Sequence, residues 1–350
     1  MRKRILAAAC AAAAVAAIAP SAAGAATRTV FVGGDGVARN APAQFSPNAF
    51  LRRTVTIHVG DTVRWRSRGF HTVTVPPRGK QPPPFAVATS NKVTGQLDPA
   101  GRPFWFNNVL PVLTVNPKVA TPTKSKTYDG TRFRNSGLLV GPSAKPYSLR
   151  FTRAGTFAYH CAVHPGMEGH VRVVSGRRRI PTEAQDRAAG TAELNRLAAA
   201  ARRTAASPAK GPLTVDVGRA PRGQRFSINA FFPSTISVKV GQTVQFTMAG
   251  QNRNEIHTIT LGPMTREQLP FIDKGVINPK DAYPSDPPPT LPPYTGTNHG
   301  NGFLNAGLHD NNPATTTVPP NGAVTFAAAG TFHLQCLVHE GMDATVTVTR

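Results

Sequence analysis

The chain repeats itself, and this duplication constrains its fold more than any other feature. Four blocks of the first half recur in the second half in the same order. They are FSPNAFLRRTVTIHVGDTVRW (45–65) with FSINAFFPSTISVKVGQTVQF (226–246), FHTVTV (70–75) with IHTITL (256–261), FRNSGL (133–138) with FLNAGL (303–308), and AGTFAYHCAVHPGM (154–167) with AGTFHLQCLVHEGM (329–342). Such repetition indicates one structural unit used twice. Because 350 residues suffice for two domains, we predict similar domains at 27–176 and 213–350.

The repeated blocks have the pattern of β-strands. The stretch TVTIHVGDTVRW (54–65) alternates in polarity around a Gly-Asp turn, as a β-hairpin does. GHVRVV (169–174) and DATVTVT (343–349) are predicted to be the closing strands of the two domains. Short strands separated by Gly and Pro turns are typical of an antiparallel sandwich. The predicted fold class is therefore all-β, with two tandem β-sandwiches.

The segments between the repeated blocks differ in character. Residues 177–212 are rich in Ala, Arg, Glu and Leu, which predicts a helical linker over about 182–205, with an unstructured linker as the alternative. Each domain also carries a long insertion, at 76–146 and 262–319. Such long loops are usually functional or partly disordered. The aromatic stretch GRPFWFNNVLPVL (101–113) is predicted to cover the core of its own domain rather than to meet a partner.

The N-terminus has the layout of a secretory signal peptide. Three basic residues at positions 2–4 precede an alanine-rich apolar stretch, which ends in the small residues Ala-Gly-Ala at 23–25. We predict a signal peptide at 1–26, and hence a periplasmic or extracellular protein, or one associated with the cell envelope. A retained membrane anchor is the alternative, although the apolar stretch is shorter than a full span.

The positive charge is unevenly distributed. The formal net charge is +23, of which residues 27–176 carry +15, whereas residues 213–350 are neutral. A basic first domain can attract an acidic partner protein or an anionic envelope surface. Arg64, Arg66 and Arg68 alternate along one strand, so they are predicted to share its solvent face. Nucleic acid is disfavoured as a partner because export removes the usual target.

Two cysteines remain after the predicted signal peptide is removed, Cys161 and Cys336. Exported proteins usually pair their cysteines, so a disulfide between these two is one reading. A disulfide leaves unexplained why each cysteine is followed by a His after three residues and by a Met after six. A thiolate, imidazoles and a thioether together suit copper.

One further histidine stands at the same place in each repeat, just after the second predicted strand. Each domain then offers a thiolate, two imidazoles and a thioether, the donor set of a type 1 copper site. The predicted copper ligands are His71, Cys161, His164 and Met167 in the first domain, and His257, Cys336, His339 and Met342 in the second.

At these residues the chain resembles the cupredoxins, the plastocyanin-like type 1 copper proteins. The spacing C-x₂-H-x₂-M and the stretch YHCAVHPGMEGHVRVV (159–174) are most similar to amicyanin. The resemblance covers most of 40–75, 147–175, 221–262 and 320–349, but neither the insertions nor the linker. It implies Greek-key sandwiches, one blue copper per domain and outer-sphere electron transfer to a redox partner protein. Amicyanin has one domain, so its docking surface is not carried over.

Two other functions remain open. His160 directly precedes Cys161, and copper nitrite reductases and multicopper oxidases use such a His on a second copper. The further histidines that those enzymes need do not occur here at their spacing, and alternation should turn His160 away from Cys161 to the surface. We therefore predict an exported electron carrier and no enzyme, with the two-domain oxidase or nitrite reductase as runner-up. A non-redox copper-binding or storage protein is the third reading.

The remaining histidines are not assigned a metal. His58 and His170 are predicted to be exposed strand residues, while His299, His309 and His333 lie in or near the second insertion without ligand spacing. Electrons are expected to leave through whichever ligand imidazole lies nearest the surface, His164 or His339.

Overall fold

A computed structural model describes residues 25–33, 38–141, 143–176, 178–248, 255–263, 268–312 and 318–350. All but the last two residues of the predicted signal peptide lie outside these ranges. The described helices include none with the length and apolarity needed to cross a membrane. Strands dominate the described residues, and the predicted all-β class, with two sandwiches joined by a helix, is confirmed.

The described residues of the first half form fifteen strands and one short helix. They are β1 (Thr27–Val32), β2 (Phe45–Ser46), β3 (Phe50–Leu51), β4 (Thr54–His58), β5 (Thr62–Ser67), β6 (Phe70–His71), β7 (Thr74–Val75), β8 (Ala86–Lys92), β9 (Pro111–Val115), α1 (Pro117–Ala120), β10 (Thr127–Tyr128), β11 (Arg134–Asn135), β12 (Leu139–Val140), β13 (Tyr147–Phe151), β14 (Gly155–His160) and β15 (Glu168–Val174).

The long helix α2 (Glu183–Ala205) then leads into the second half. Its elements are β16 (Thr214–Arg219), β17 (Ser227–Phe232), β18 (Thr235–Lys239), β19 (Thr243–Thr247), β20 (Ile256–Leu261), β21 (Ile272–Asp273), β22 (Val276–Ile277), α3 (Pro279–Ala282), a 3₁₀ turn (Asn298–Gly300), β23 (Leu304–Asp310), β24 (Asn321–Thr325), β25 (Gly330–Gln335) and β26 (Asp343–Thr349).

Each half packs two five-stranded sheets on a common core. In the first half their orders are β10-β13-β5-β1-β3 and β11-β7-β14-β15-β4. In the second half they are β2-β17-β16-β19-β24, whose edge strand β2 comes from the first half, and β18-β26-β25-β20-β23. Trp65, Phe151 and Tyr159 fill the first core, and Phe246 and Phe326 belong to the second. Burying each of these side chains contributes about 1.5–3 kcal/mol.

The predicted hairpin at 54–65 is wrong. Strands β4 and β5 belong to different sheets, so the turn at Gly60 carries the chain from one sheet to the other. The apolar residues of both strands face the shared core, which produces the same alternation that a hairpin would show. The antiparallel expectation also needs correction, because β1 pairs with β5 in parallel and β4 pairs with β15 in parallel.

The linker helix begins as the sequence predicts. Thr182 caps it, and its hydroxyl and the Gln185 side chain bond reciprocally to backbone N–H groups in a capping box. Its Leu194 and Leu197 pack into a cluster that contains Leu51 of the first half and Phe226 of the second. The helix therefore lies against both halves.

The two halves also join directly through their repeated blocks. Strand β2 adds to the edge of β17, and this pairing places Ser46 opposite Ser227. These two serines occupy the same position in the FSxNAF block of each repeat. The insertions meet as well, because β22 pairs with β9 in a sheet of order β21-β22-β9-β8.

The aromatic stretch 101–113 does not cover its own domain. Phe104 and Phe106 pack with Phe303 and Leu337 of the second half, and the Trp105 indole donates to the Pro284 carbonyl over 2.8 Å. The prediction that this stretch covers the first core is wrong, because hydrophobicity alone does not identify which core a long loop reaches.

Candidate metal centres

The first donor set lies at one end of the first sandwich. His71 ends β6, and Cys161 and His164 lie in the loop that follows β14. The Cys161 Sγ lies 3.8 Å from the Nδ1 of His71 and 3.4 Å from the Nδ1 of His164. All three side chains are buried. The structure therefore brings together three of the four residues predicted as ligands, each with one donor atom turned toward the others.

The second half repeats this arrangement. The Cys336 Sγ lies 3.8 Å from the Nδ1 of His257 and 3.7 Å from the Nδ1 of His339. The two Nδ1 atoms are 3.1 Å apart. Two imidazole nitrogens and one sulfur thus surround a common point in each half. Within the described residues these are the two groups of three or more His, Cys, Asp or Glu side chains close enough to share one ion.

Each sulfur also accepts a backbone hydrogen bond from the residue that follows the first histidine. The N–H of Thr72 donates to the Cys161 Sγ and the N–H of Thr258 to the Cys336 Sγ, both over 3.4 Å. The hydroxyls of the same threonines accept, over 2.8 Å, the N–H of the residue after each cysteine. These paired bonds fix each cysteine loop against the strand that carries the distant histidine.

Both methionines predicted as ligands are buried in the same loops. The Cys161 N–H donates to the Met167 carbonyl over 3.0 Å, and the Cys336 N–H donates to the Met342 carbonyl over 2.9 Å. The Met167 N–H in turn donates to the His164 carbonyl over 3.0 Å. Both methionine side chains belong to the cores of their sandwiches, and the backbone bonds hold each methionine in the same tight loop as its cysteine.

Glycines leave room for the upstream imidazoles. Gly33 and Gly218 have φ values of +76° and +71°, and a Cβ at either would collide with the Nε2 of His71 or His257. Few other residues adopt this backbone conformation without strain. The backbone therefore packs against the Nε2 side of each ring, while Nδ1 remains directed at the sulfur.

The electrostatics favour a thiolate at both cysteines. Burial raises the pKa of Cys161, but the charge of His164 and hydrogen bonds from both histidines outweigh burial and hold the pKa well below its usual value. The pKa of Cys336 is lowered in the same way by His257 and His339. The thiolate is the form that binds metals. These buried sulfur and nitrogen donors fit copper, whose type 1 sites use His₂Cys.

A buried carboxylate that the sequence analysis missed lies between the two sites. Oε1 of Glu255 is 3.9 Å from the Nε2 of His164, and its Oε2 is 3.2 Å from the Nε2 of His339. Burial opposes ionisation, yet attraction to both histidines holds the pKa of Glu255 well below its usual range. Burial lowers the pKa of His339, but hydrogen bonds with Cys336 and Glu255 raise it to about 10.

A sequence signal for this carboxylate does exist. Glu255 stands two residues before His257, where the first repeat has Gly69 two residues before His71. An acidic residue near a predicted ligand in only one of the two repeats indicates that the surroundings of the two candidate sites differ. Among the four predicted ligand imidazoles, His164 and His339 are more exposed than His71 and His257, as expected from the sequence. Both of these rings also face the Glu255 carboxylate between the halves.

The other histidines lie outside both donor groups. His160 faces Glu168, with its Nδ1 3.8 Å from a carboxylate oxygen, and only 12% of its side chain is exposed, less than predicted.

His299 lies between Asp98 and Asp286, at 3.0 and 3.1 Å. His58 and His170 are partly exposed, as is His333, which bonds Asp343. His309 is buried opposite His257 on the neighbouring strand, and burial lowers its pKa to about 4.

Comparison with known proteins returned structural neighbours alone. No protein-family model matches the chain, and no curated protein does. Among solved structures, the chain is similar to a proline-to-glycine mutant of amicyanin in its reduced Cu(I) form at pH 4, with 20% identity over 42% of this chain and 82% of that one and a TM-score of 0.22. It is also similar to oxidised plastocyanin from Dryopteris crassirhizoma, with 19% identity over 39% and 99% of the two chains and a TM-score of 0.21. At TM-scores this low, neither likeness carries a conclusion about function.

Proposed function

We propose that this chain is an exported electron-transfer protein with one type 1 copper centre in each half. The observation that carries the proposal is the duplicated donor set, in which a buried cysteine sulfur lies 3.4–3.8 Å from two imidazole Nδ1 atoms in each half. A His₂Cys set with a weak axial Met is the blue-copper arrangement. His71, Cys161 and His164 would hold the first copper, and His257, Cys336 and His339 the second.

Bound copper supplies a one-electron couple between its +1 and +2 states. The residues of this chain keep the surroundings of that couple unchanged. Thr72 in the first half and Thr258 in the second connect the segment that carries the upstream histidine to the cysteine loop. Their hydroxyl and N–H groups form hydrogen bonds with that loop. A frame that does not rearrange on reduction costs little reorganisation energy, which favours fast electron transfer. Met167 and Met342 would be the weak axial ligands.

The N–H···S bonds add to this role. Each backbone N–H donor lies 3.4 Å from the cysteine sulfur and stabilises negative charge on it. Hydrogen bonding around the cysteine sulfur is one of the means by which proteins tune the potential of such centres. Because both halves carry the same bond, we expect it to act similarly on both centres.

Export and docking form a further part of the proposal. The charged N-terminus and alanine-rich stretch of the sequence support export. Arg64, Arg66 and Arg68 are exposed on β5 and on the residue after it, and they support docking of an acidic redox partner on the first half. An anionic envelope surface is the competing occupant of this face.

An oxidase or nitrite reductase remains the second candidate, and a storage protein the third. An enzyme of that class needs a third copper beside the electron-transfer centre. The described residues group three close donors at the two sites above, and His160 lies against Glu168. These observations favour an electron carrier without turnover.

The test is to quantify copper in the mature protein and to record its optical and spin-resonance spectra. Two coppers per chain with intense sulfur-to-copper charge transfer are expected. Oxygen uptake with phenolic and ferrous substrates, and nitric oxide release from nitrite, should be negligible. Three or more coppers with robust turnover would favour the enzyme, and two colourless coppers would favour storage.

A further inference from the structure

Glu255 contacts one predicted ligand histidine from each half. Its carboxylate oxygens lie 3.9 Å from the Nε2 of His164 and 3.2 Å from the Nε2 of His339. In both rings the other nitrogen, Nδ1, faces the cysteine sulfur. Each imidazole therefore has one nitrogen at a donor set and the other at the shared carboxylate. The chain of atoms from one donor set to the other contains only these two non-covalent gaps.

The carboxylate is held in this position by both halves of the protein. Asn48 donates its side-chain N–H to Oε1 of Glu255 over 2.6 Å, and the Ser227 hydroxyl donates to the same oxygen over 2.7 Å. Asn48 also lies 3.3 Å from the Ser227 hydroxyl. All three side chains are buried. A carboxylate with this many fixed donors keeps one orientation, with its second oxygen left for His339.

The repeat shows that this bridge is present only once. The first repeat has Gly69 where the second has Glu255. One carboxylate thus serves two sites, although each half carries its own Cys, His and Met residues. A role confined to the second site would not require contact with His164.

We propose that Glu255 is the bridge through which the two copper centres exchange electrons, by a route from His164 through the carboxylate to His339. This inference rests on the proposed function, since it requires a copper in each half. Tunnelling falls off steeply across through-space gaps, so a carboxylate that shortens them speeds the exchange. The protein then acts as a two-centre relay whose centres communicate internally.

The exchange balances without any other reactant. One electron leaves the reduced centre, whose copper goes from +1 to +2. The same electron enters the oxidised centre, whose copper goes from +2 to +1. No bond forms or breaks and no proton moves. An external partner is needed only to bring the electron to the relay and to take it away.

The rate of exchange can be measured in the full copper-loaded chain. Met342→Gln, by changing the proposed axial ligand, should make the two centres spectrally distinct. One electron is then injected by pulse radiolysis, and the redistribution that follows should be independent of protein concentration. Glu255→Gln should slow it by about tenfold, because an amide has one acceptor oxygen and can serve only one imidazole. Glu255→Ala should slow it further.

Two further variants distinguish loss of the bridge from a general disturbance of the structure. Ser227→Ala keeps the negative charge of Glu255 but removes one hydrogen bond that fixes the carboxylate. It should therefore slow the exchange by a smaller factor than the Glu255 variants do. It also tests the bridge if the Glu255 variants do not fold. Asp343→Asn removes a carboxylate of the second half that is half-exposed and bonded to His333, and it should leave the rate unchanged. Equal rates in the parent, both Glu255 variants and Ser227→Ala would overturn the bridge.

Reduction potentials give an independent readout. Negative charge favours the +2 state, so Glu255→Gln should raise the potential of both centres. The two effects can be measured separately in chains that keep one centre, made by Cys161→Ser or Cys336→Ser. A shift at the second centre alone would overturn the bridge and leave the copper centres intact. Absence of the sulfur-to-copper absorption from the parent protein would instead overturn the proposed function.

Discussion

Asp281 occupies in the second repeat the position that Val119 occupies in the first, and both side chains are completely buried. Each lies in a four-residue helix that begins after an asparagine cap. Neither carboxylate oxygen of Asp281 has a hydrogen-bond partner among the residues that the structure describes. Burial, and to a smaller extent the charge of Cys336, raises the pKa of Asp281 to about 8. The second repeat thus places an acid where the first has an aliphatic side chain.

Asp281→Val should therefore stabilise the protein, and by more as the pH rises. A carboxyl whose pKa is raised on folding ionises first in the unfolded chain, so its penalty grows from about pH 4 to about pH 8. The gain at neutral pH should be on the order of a few kcal/mol. Thermal unfolding of the parent and of Asp281→Val at pH 5, 7 and 8.5 measures this gain in stability. Val119→Asp is the reciprocal control, which should destabilise with the same trend, and a gain that is flat with pH would contradict the account.

His299 should contribute stability that depends on pH in the opposite sense. Its hydrogen bond to Asp286 raises its pKa, burial opposes this, and the bond to Asp98 raises it again. A raised histidine pKa gives stability that is full below about pH 6.5 and is lost as the pH rises through the folded value.

His299→Gln should thus lower the melting temperature most near pH 5–6, by an amount equivalent to about 1.5–3 kcal/mol, and less at pH 9. Burial raises the pKa of both carboxyls, but a backbone hydrogen bond from Arg102 and the bond with His299 lower that of Asp98, and the bond with His299 lowers that of Asp286. The effect of the substitution should therefore also shrink in strong acid. His333→Gln is the matched control, because that histidine bonds Asp343 on an exposed surface. Equal losses at pH 5.5 and pH 9 would show that charge on His299 does not matter.

The basic face of the first half should govern the salt dependence of partner exchange. Replacing Arg64, Arg66 and Arg68 together by Gln should slow electron exchange with an acidic redox protein at low ionic strength and flatten its salt dependence. The whole chain is used, because the halves share a strand pairing and the helix α2.

Stopped-flow rates across a salt series provide this measurement. The matched control replaces three exposed basic residues of the second half, Arg222, Lys239 and Lys274, by Gln. The control should keep the parental salt dependence. The same flattening in both triple variants would assign the effect to net charge and not to docking on the first half.

Each cysteine should account for about half of the visible absorption if each belongs to one His₂Cys copper site. Cys161→Ser and Cys336→Ser should each leave one copper per chain and one charge-transfer spectrum. His160→Ala is the neighbouring control, since its imidazole faces Glu168, and it should keep both coppers. Loss of all colour in either cysteine variant would mean that the sites depend on each other.

Much of this architecture follows from local sequence patterns. The spacing of Cys161, His164 and Met167 identifies the loop, and the repeat identifies His71 by comparison with His257. The linker helix is predictable because capping and helix propensity are local properties. Strand positions are predictable for the same reason, since alternation reports which side chains face a core.

The sequence does not reveal which distant surfaces meet. Strands β4 and β5 look like a hairpin, because alternation is the same whether two strands share a sheet or cross between sheets. Phe104 and Phe106 are recognisably core residues, but nothing local assigns them to the second half. Glu255 becomes meaningful only when both histidine rings turn toward it, and that depends on how the two halves are joined.

The pairing of Ser46 with Ser227 has a consequence for how such a molecule can be asymmetric. Contact between equivalent positions is what a twofold axis produces in a dimer of identical chains. In such a dimer any residue near the axis is present in two copies, so a carboxylate there would face its own image. Fusing both copies into one chain removes that constraint, since each copy can then change alone. A single acid can occupy the shared centre while its counterpart remains a glycine, and the two proposed metal environments can differ within one covalent pair.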